Sequence, residues 1–152
     1  MDATSPHATP GRRSTPSLMQ ATVAEAMHRG ILSCEPDTTL ADVARMMSTH
    51  HVHCIVVMGL WRQHGSERLV WGVISDLDVV RAGIRIGPDE LAGAIAKQPV
   101  ITVGPETPLR EAGEVMLTRR ASHVVVVESK SQRPVGILST LDIAGVVASA
   151  AT

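Results

Sequence analysis

The sequence predicts an α/β (α+β) fold made of two β-α-β-β-α repeats that pack on each other, and three observations carry that prediction. The segment Gly72-Val73-Ile74-Ser75-Asp76-Leu77-Asp78 nearly recurs as Gly136-Ile137-Leu138-Ser139-Thr140-Leu141-Asp142, an offset of 64 residues. Upstream, Pro36-Asp37-Thr38-Thr39-Leu40 is answered by Pro105-Glu106-Thr107-Pro108-Leu109 at an offset of 69, with the apolar sets Leu40, Val43, Met47 and Leu109, Ala112, Met116 in step. The chain of 152 residues is 44% apolar with two Trp and neither Tyr nor Phe, so any core is built from small and branched aliphatics. A repeat of about 60 residues buries too little alone, which argues that the copies share a core.

Residues 1–20 are rich in Ser, Thr and Pro and lack an apolar stretch, so they are expected to form a disordered tail. The pair Arg12-Arg13 is followed by Ser-Thr-Pro-Ser rather than an apolar segment, so no targeting signal is expected. The first unit is placed at 21–84 and the second at 85–152. A short helix is expected over Thr22–His28 and another over Pro88–Gln98, the latter ended by Pro99. The β-branched runs Ile31–Cys34 and Val100–Val103 end at Pro36 and Pro105. An amphipathic helix follows each, with Thr38 or Thr107 at its cap and Pro108 suited to a first helical position. Spacing of i, i+3, i+7 turns one face of that helix to a core. Then come strands Val52–Met58 with Leu69–Ile74, and Ser122–Val127 with Val135–Leu138, before a helix opening at Ser75 or Ser139. The five-residue difference between the two offsets falls where Leu60–Arg68 outruns Glu128–Arg133, and is expected to be a loop insertion.

Composition excludes several function classes. Lys plus Arg number 14 against 15 Asp plus Glu, a formal net charge of −1, which gives no pull toward nucleic acid or an anionic membrane. Two Trp leave little on which bases could stack. Val124–Val127 reads as a buried strand, far short of the ~20 apolar residues of a membrane span. Two cysteines, Cys34 and Cys54, fit a reducing compartment, so a cytoplasmic protein is expected. No G-x-S-x-G, P-loop or H-E-x-x-H occurs, so no enzyme is expected. The cluster His50, His51, His53, Cys54 suggests a metal, but strand alternation sends His53 and Cys54 to opposite faces and no C-x-x-C pair is present. Neither metal nor cofactor is expected.

The repeated Ser75-x-x-Asp78 and Ser139-x-x-Asp142 support two chemistries. One is a capping box, in which Ser accepts from an orphan helix N–H and the carboxylate reaches back to the cap N–H. The other uses the same helix start to hold a phosphate, with Asp78 and Asp142 accepting from vicinal ribose hydroxyls. Gly72 and Gly136 would then let a ligand approach the backbone. The residues alone leave both readings open.

The doubled G-h-h-S-x-x-D motif (h apolar), the doubled P-D/E-T-x-L helix start and the parallel strands Val52–Val57 and Ala121–Val126 together resemble a tandem pair of cystathionine β-synthase (CBS) domains, over about residues 21–149. The resemblance implies two repeats meeting about a pseudo-two-fold axis and two clefts for adenosyl ligands: AMP, ADP, ATP or S-adenosylmethionine. One cleft would use Ser75, Asp78 and Gly72 with backbone from Val100, Ile101 and Thr102. The other would use Ser139, Asp142 and Gly136 with backbone from Ile31, Leu32 and Ser33. Arg81 fits the helical arginine that often follows the motif Asp, whereas the second repeat has Gly145 there. His53 and His123, at the starts of the second strands, are candidate phosphate neighbours or ordinary rim residues. The implied function is a stand-alone regulatory or sensor module with a homodimeric second copy through faces such as Ala144, Val147 and Ala148, and a separate, unidentified protein target. The alternative is a dimerisation or interaction module whose clefts are vestigial.

Overall fold

The computed structural model describes residues 17–150. The expected tail therefore lies outside the described residues up to position 16, while Ser17 to Gln20 form a turn in which the Ser17 carbonyl accepts from the Gln20 and Ala21 N–H groups. Leu18 gives that turn an apolar anchor against a core cluster.

The elements follow in the order α1 (Val23–Ala26), β1 (His28–Arg29), β2 (Ser33–Cys34), α2 (Leu40–His50), β3 (Cys54–Gln63), β4 (Ser66–Ser75), α3 (Asp76–Arg85), α4 (Ala92–Ile95), β5 (Thr102–Val103), α5 (Leu109–Arg119), β6 (His123–Val127), β7 (Pro134–Ser139) and α6 (Thr140–Ala150). They build two sheets, ordered β2-β3-β4 and β1-β7-β6-β5. In each, a short edge strand lies parallel to the second strand of its repeat, which pairs antiparallel with the third. The sheets meet through Val56, Val125 and Val127, with Ile31, Trp71, Val73, Val100 and Ile137 around them. Val56 and Val125 are equivalent at the 69-residue offset, so their meeting is what a pseudo-two-fold axis requires. The helical faces read from the sequence are buried: Leu40, Val43, Met47 in α2 and Leu109, Ala112, Met116 in α5.

The leading segments change places. The Val23 and Ala24 N–H groups donate to Thr107 and Pro105 of the second repeat, each at 2.9 Å. Correspondingly, the Ala92 and Gly93 N–H groups donate to Thr38 and Pro36 of the first, each at 2.8 Å. Val23 and Ala92 are both fully buried in the core of the repeat they visit. Each short helix thus buries its apolar side on the other repeat, because a four-residue helix has no stability of its own.

The same exchange shifts the helix caps by one residue from those expected. Bridges Thr39 to Leu91 and Thr22 to Pro108 keep these residues extended. Thr39, not Thr38, therefore caps α2, its side chain accepting from the Asp42 N–H at 3.2 Å. Pro108, not Thr107, precedes α5 and sits outside rather than at its first position.

The expected loop over Leu60–Arg68 is instead a continuation of the β3–β4 hairpin, paired from Cys54 with Ser75 out to Gln63 with Ser66. It turns on His64 and Gly65 at φ 52° and 78°, the consecutive left-handed residues that a two-residue hairpin turn needs. Alternation along the arm brings Trp61 inward onto α4, where a Cβ on Gly93 would stand only 2.2 Å from the indole. The insertion is an arm that closes over the visiting helix.

Candidate functional site

Strand β4 runs directly into α3, and β7 into α6, so each motif Ser is the last strand residue and the residue before a helix. Both repeats form the capping box. Asp78 Oδ2 accepts from the Ser75 N–H at 3.0 Å and from its hydroxyl at 2.9 Å, while Ser75 Oγ accepts from the Asp78 N–H at 3.2 Å. Asp142 Oδ2 accepts from the Ser139 N–H and hydroxyl at 2.8 and 2.9 Å, and Ser139 Oγ accepts from the Asp142 N–H at 3.2 Å. One carboxylate oxygen of each Asp is spent on the helix start.

The other oxygen of each Asp faces a basic side chain brought by the exchanged segment. Asp78 Oδ1 meets Lys97 Nζ at 2.9 Å and Arg81 Nη1 at 3.1 Å. Asp142 Oδ1 meets His28 Nδ1 at 2.9 Å. The carboxylates are nearly buried, at 4% and 8% side-chain exposure, whereas Lys97 and His28 are 61% and 79% exposed. Burial pushes the Asp78 carboxyl up, but hydrogen bonds from the Ser75 backbone, Lys97 and the Ser75 hydroxyl outweigh that and leave it below the usual carboxylate range.

Sequence reasoning missed Lys97 and His28. They are related by the same 69-residue offset as the helix starts, which was the available signal, but one is Lys and the other His, and neither belongs to the recognised motif. Their backbones occupy matching places. Lys97 and Val73 exchange N–H to carbonyl bonds at 2.9 and 3.2 Å, and β1 pairs His28 with Ile137.

That pairing gives the motif glycines a structural role. A Cβ on Gly72 would stand 2.8 Å from Ala96 Cβ and 3.0 Å from the Lys97 carbonyl, and one on Gly136 would stand 2.4 Å from the His28 carbonyl. Gly72 and Gly136 make room for the exchanged backbone. Val100, Ile101 and Thr102 follow the Lys97 segment, and Ile31, Leu32 and Ser33 follow the His28 segment. Ile31 and Val100 lie in the inter-sheet layer, and the Leu32 and Ile101 carbonyls accept from Val56 and Val125, each at 3.0 Å. Ser33 and Thr102 open the edge strands β2 and β5.

The two histidines are not counterparts. His53 corresponds to Ser122, since the His53 and Ser122 carbonyls accept from Asp76 and Thr140, each at 3.0 Å. His53 Nδ1 bonds Asp76 Oδ2 at 2.8 Å, holding the Asp76 carboxyl below its ordinary value. Both line a groove of about 390 Å³ between α2 and α3, with Met47, His51, Val79 and Val80. His53 is thus paired with Asp76 rather than with Asp78, and the pair lies close enough to act on His123 of the second repeat. His123 pairs across β6–β7 with Ser139, and burial pushes its imidazole below the ordinary value.

Cys54 is buried, and burial first, then the charges of Asp78 and Asp76, pushes its thiol up to about 12. Among the described residues no three of His, Cys, Asp and Glu are grouped to hold a metal ion. No helix among them is long and apolar enough to cross a membrane. The matching groove of the second repeat, of about 670 Å³, lies between α5 and α6, against Leu109, Met116, Leu117, Ser122, Thr140 and Ile143.

Comparison with known proteins agrees with this architecture. The CBS domain family matches residues 23–85 and 92–149. The CBS domain-containing protein CBSX3, mitochondrial, of Arabidopsis thaliana is 27% identical over 117 residues, covering 74% of this chain and 54% of that protein. The chain spans between 54% and 63% of the length of the curated relatives it matches. The CBS domain pair of protein MJ0100, solved in complex with 5′-methylthioadenosine and S-adenosyl-L-methionine, has a TM-score of 0.70 at 21% identity, covering 84% of this chain and 96% of that one. The CBS domain protein PAE2072 from Pyrobaculum aerophilum, complexed with AMP, has a TM-score of 0.67 at 30% identity, covering 84% and 98%. With both repeats matched and their pairing shared, the chain belongs to the CBS-domain family, as a tandem pair.

Proposed function

We propose that this CBS pair, with units at 21–84 and 85–152, is a non-catalytic regulatory module that binds adenosyl ligands in two clefts, one at Asp78 and one at Asp142. The observation that carries the reading is the second carboxylate oxygen. A capping box needs only Oδ2, yet in each repeat Oδ1 of a nearly buried Asp faces a solvent-exposed basic side chain from the exchanged segment. Ribose hydroxyls would take over Oδ1, and the displaced basic group would turn to whatever the ligand carries at its 5′ position. Ser75, Asp78, Arg81 and Lys97 with Val100–Thr102 form one cleft, and Ser139, Asp142 and His28 with Ile31–Ser33 the other. His123 lies at the rim of the second, and the His53–Asp76 pair is close enough to act on it. The AMP complex of a relative 30% identical supports the ligand class.

A second copy of this chain and a separate protein target complete the reading. Leu117 and Leu141 are 81% and 73% exposed, and α6, apolar along most of its length, has no buried residue, which supports a homodimer through helical faces. The test is thermal denaturation with AMP, ADP, ATP and S-adenosylmethionine. A ligand at 100 times its Kd adds ~2.7 kcal/mol. At ~2–4 °C per kcal/mol for a chain of this size, the midpoint should rise by roughly 5–10 °C. Shifts below about a degree at millimolar concentration for every ligand would favour an interaction module with vestigial clefts.

A further inference from the structure

We infer that the two clefts are sorted by the charge of the ligand's 5′ substituent: the Asp78 cleft takes a 5′-phosphorylated adenosyl ligand, and the Asp142 cleft takes one whose 5′ group is an uncharged thioether or a sulfonium cation. The inference rests on the adenosyl-binding reading and adds to it which class each cleft selects. Asp78 Oδ1 has two cationic partners, Lys97 and Arg81, for one carboxylate. When ribose occupies the carboxylate, both cations are released and half-exposed, one of them a guanidinium suited to bidentate phosphate contact.

The Asp142 cleft lacks that surplus. Its partner, His28, is charged only if protonated, and the position matching Arg81 is Gly145, around which a Cβ would meet nothing within 4 Å. The other nearby imidazole, His123, is pushed below its ordinary value by burial first, against the charges of Asp76 and Asp142. The local balance therefore rests near the negative charge of Asp142, which repels a phosphate dianion and tolerates a neutral or cationic group. The helix starts do not cancel this contrast, because the capping-box distances in the two repeats agree to within 0.2 Å. The acidic neighbour Asp76, at the start of α3, is paired with His53 and acts on His123 of the second repeat, so it adds no positive charge to the Asp142 cleft.

The experiment is calorimetric titration of the full chain with AMP and with 5′-methylthioadenosine, which share base and ribose and differ at the 5′ position. Asp78→Asn and Asp142→Asn assign each binding event to a cleft. AMP should favour the Asp78 cleft, and 5′-methylthioadenosine the Asp142 cleft. The double variant Arg81→Gly with Lys97→His should weaken AMP at the Asp78 cleft by roughly 10- to 150-fold, the span of lost charge-assisted bonds, and change 5′-methylthioadenosine binding at the Asp142 cleft by less than about threefold. The reverse variant, Gly145→Arg with His28→Lys, should gain AMP affinity at the Asp142 cleft by about tenfold, a gain that misfolding cannot produce. Equal AMP to 5′-methylthioadenosine preference at both clefts, or variants that move both ligands together, would overturn the sorting while leaving the adenosyl reading in place. Binding of neither ligand to the unmodified chain would overturn both.

Discussion

The two repeats build their helix starts identically and then diverge in what they place around them. Asp78 sits under Lys97 and Arg81, beside a ten-residue hairpin strand whose Trp61 covers the visiting helix α4. Asp142 sits under His28, with Gly145 where an arginine would be and a short turn over Glu128–Arg133 in place of the arm. Backbone exchange is common to both, because it depends on glycine and on N–H to carbonyl pairing that tolerate any side chain. The cations depend on side chains, and the arm on an insertion found in the first repeat and not at the matching turn of the second. Repetition thus preserves the scaffold while each half remains free to acquire its own electrostatics and its own closure.

The largest expected difference between the halves concerns closure. Trp61→Ala would empty the space between the hairpin arm and α4, at a cost of about 3–5 kcal/mol for a large buried aromatic. Ser131→Ala, in the corresponding turn of the second repeat, removes an exposed hydroxyl that donates to Glu128 and accepts from the Arg133 N–H, and should cost within about 0.5 kcal/mol. Denaturant unfolding of both variants measures the contrast. Similar midpoints would show that the arm is not what holds α4 in place.

Next in size is the contrast between the two carboxylates. Asp78→Asn and Asp142→Asn each keep the side-chain volume and part of the cap, so stability should fall by at most about 1 kcal/mol in either. Affinity at the altered cleft should fall by roughly 10- to 150-fold if the lost bonds are charge-assisted. Measured with AMP, the larger loss is expected for Asp78→Asn, because only there does the carboxylate share its cations with a phosphate. Unchanged affinity in both variants would reduce the motif to helix capping, and a larger loss for Asp142→Asn would reverse the ranking of the clefts.

How much of this was legible in the sequence follows from the distance over which each feature is encoded. The repeat, the buried faces of α2 and α5 and the capping boxes are set by residues within one turn or one strand of each other, and periodicity exposes them. The exchange of leading segments is a contact between residues far apart in the chain, such as Val23 with Thr107 and Ala92 with Thr38, and no local pattern signals it. The backbone packed against the motif glycines was missed because it comes from elsewhere in the chain. Lys97 and His28 were missed for the same reason. Leu60–Arg68 read as a loop because its polar residues hide the alternation, and the Gly that would have flagged a turn follows a His rather than Asn or Asp.

The smallest expected effect is a difference in acid sensitivity. Asp78 is held below the ordinary carboxylate value despite burial, by bonds from Ser75 and Lys97, and Asp76 is held below it chiefly by its bond to His53. Both lie in the first turn of α3, whereas the position matching Asp76 in α6 is Thr140. A carboxyl with a depressed folded pKa contributes stability that is fully present above its unfolded value of about 3.9 and is lost as pH falls through the folded one. Acid should therefore loosen α3 before α6. Hydrogen exchange compared between about pH 6 and pH 3.5, corrected for intrinsic exchange rates, should show protection falling first along α3 and the end of β4. Asp78→Asn, which cannot titrate, should remove part of that fall, and His53→Ala a smaller part because Asp76 is more exposed. Loss of protection in α6 ahead of α3 would place the acid-sensitive contacts in the second repeat and contradict the assignment of the two depressed carboxylates to the first.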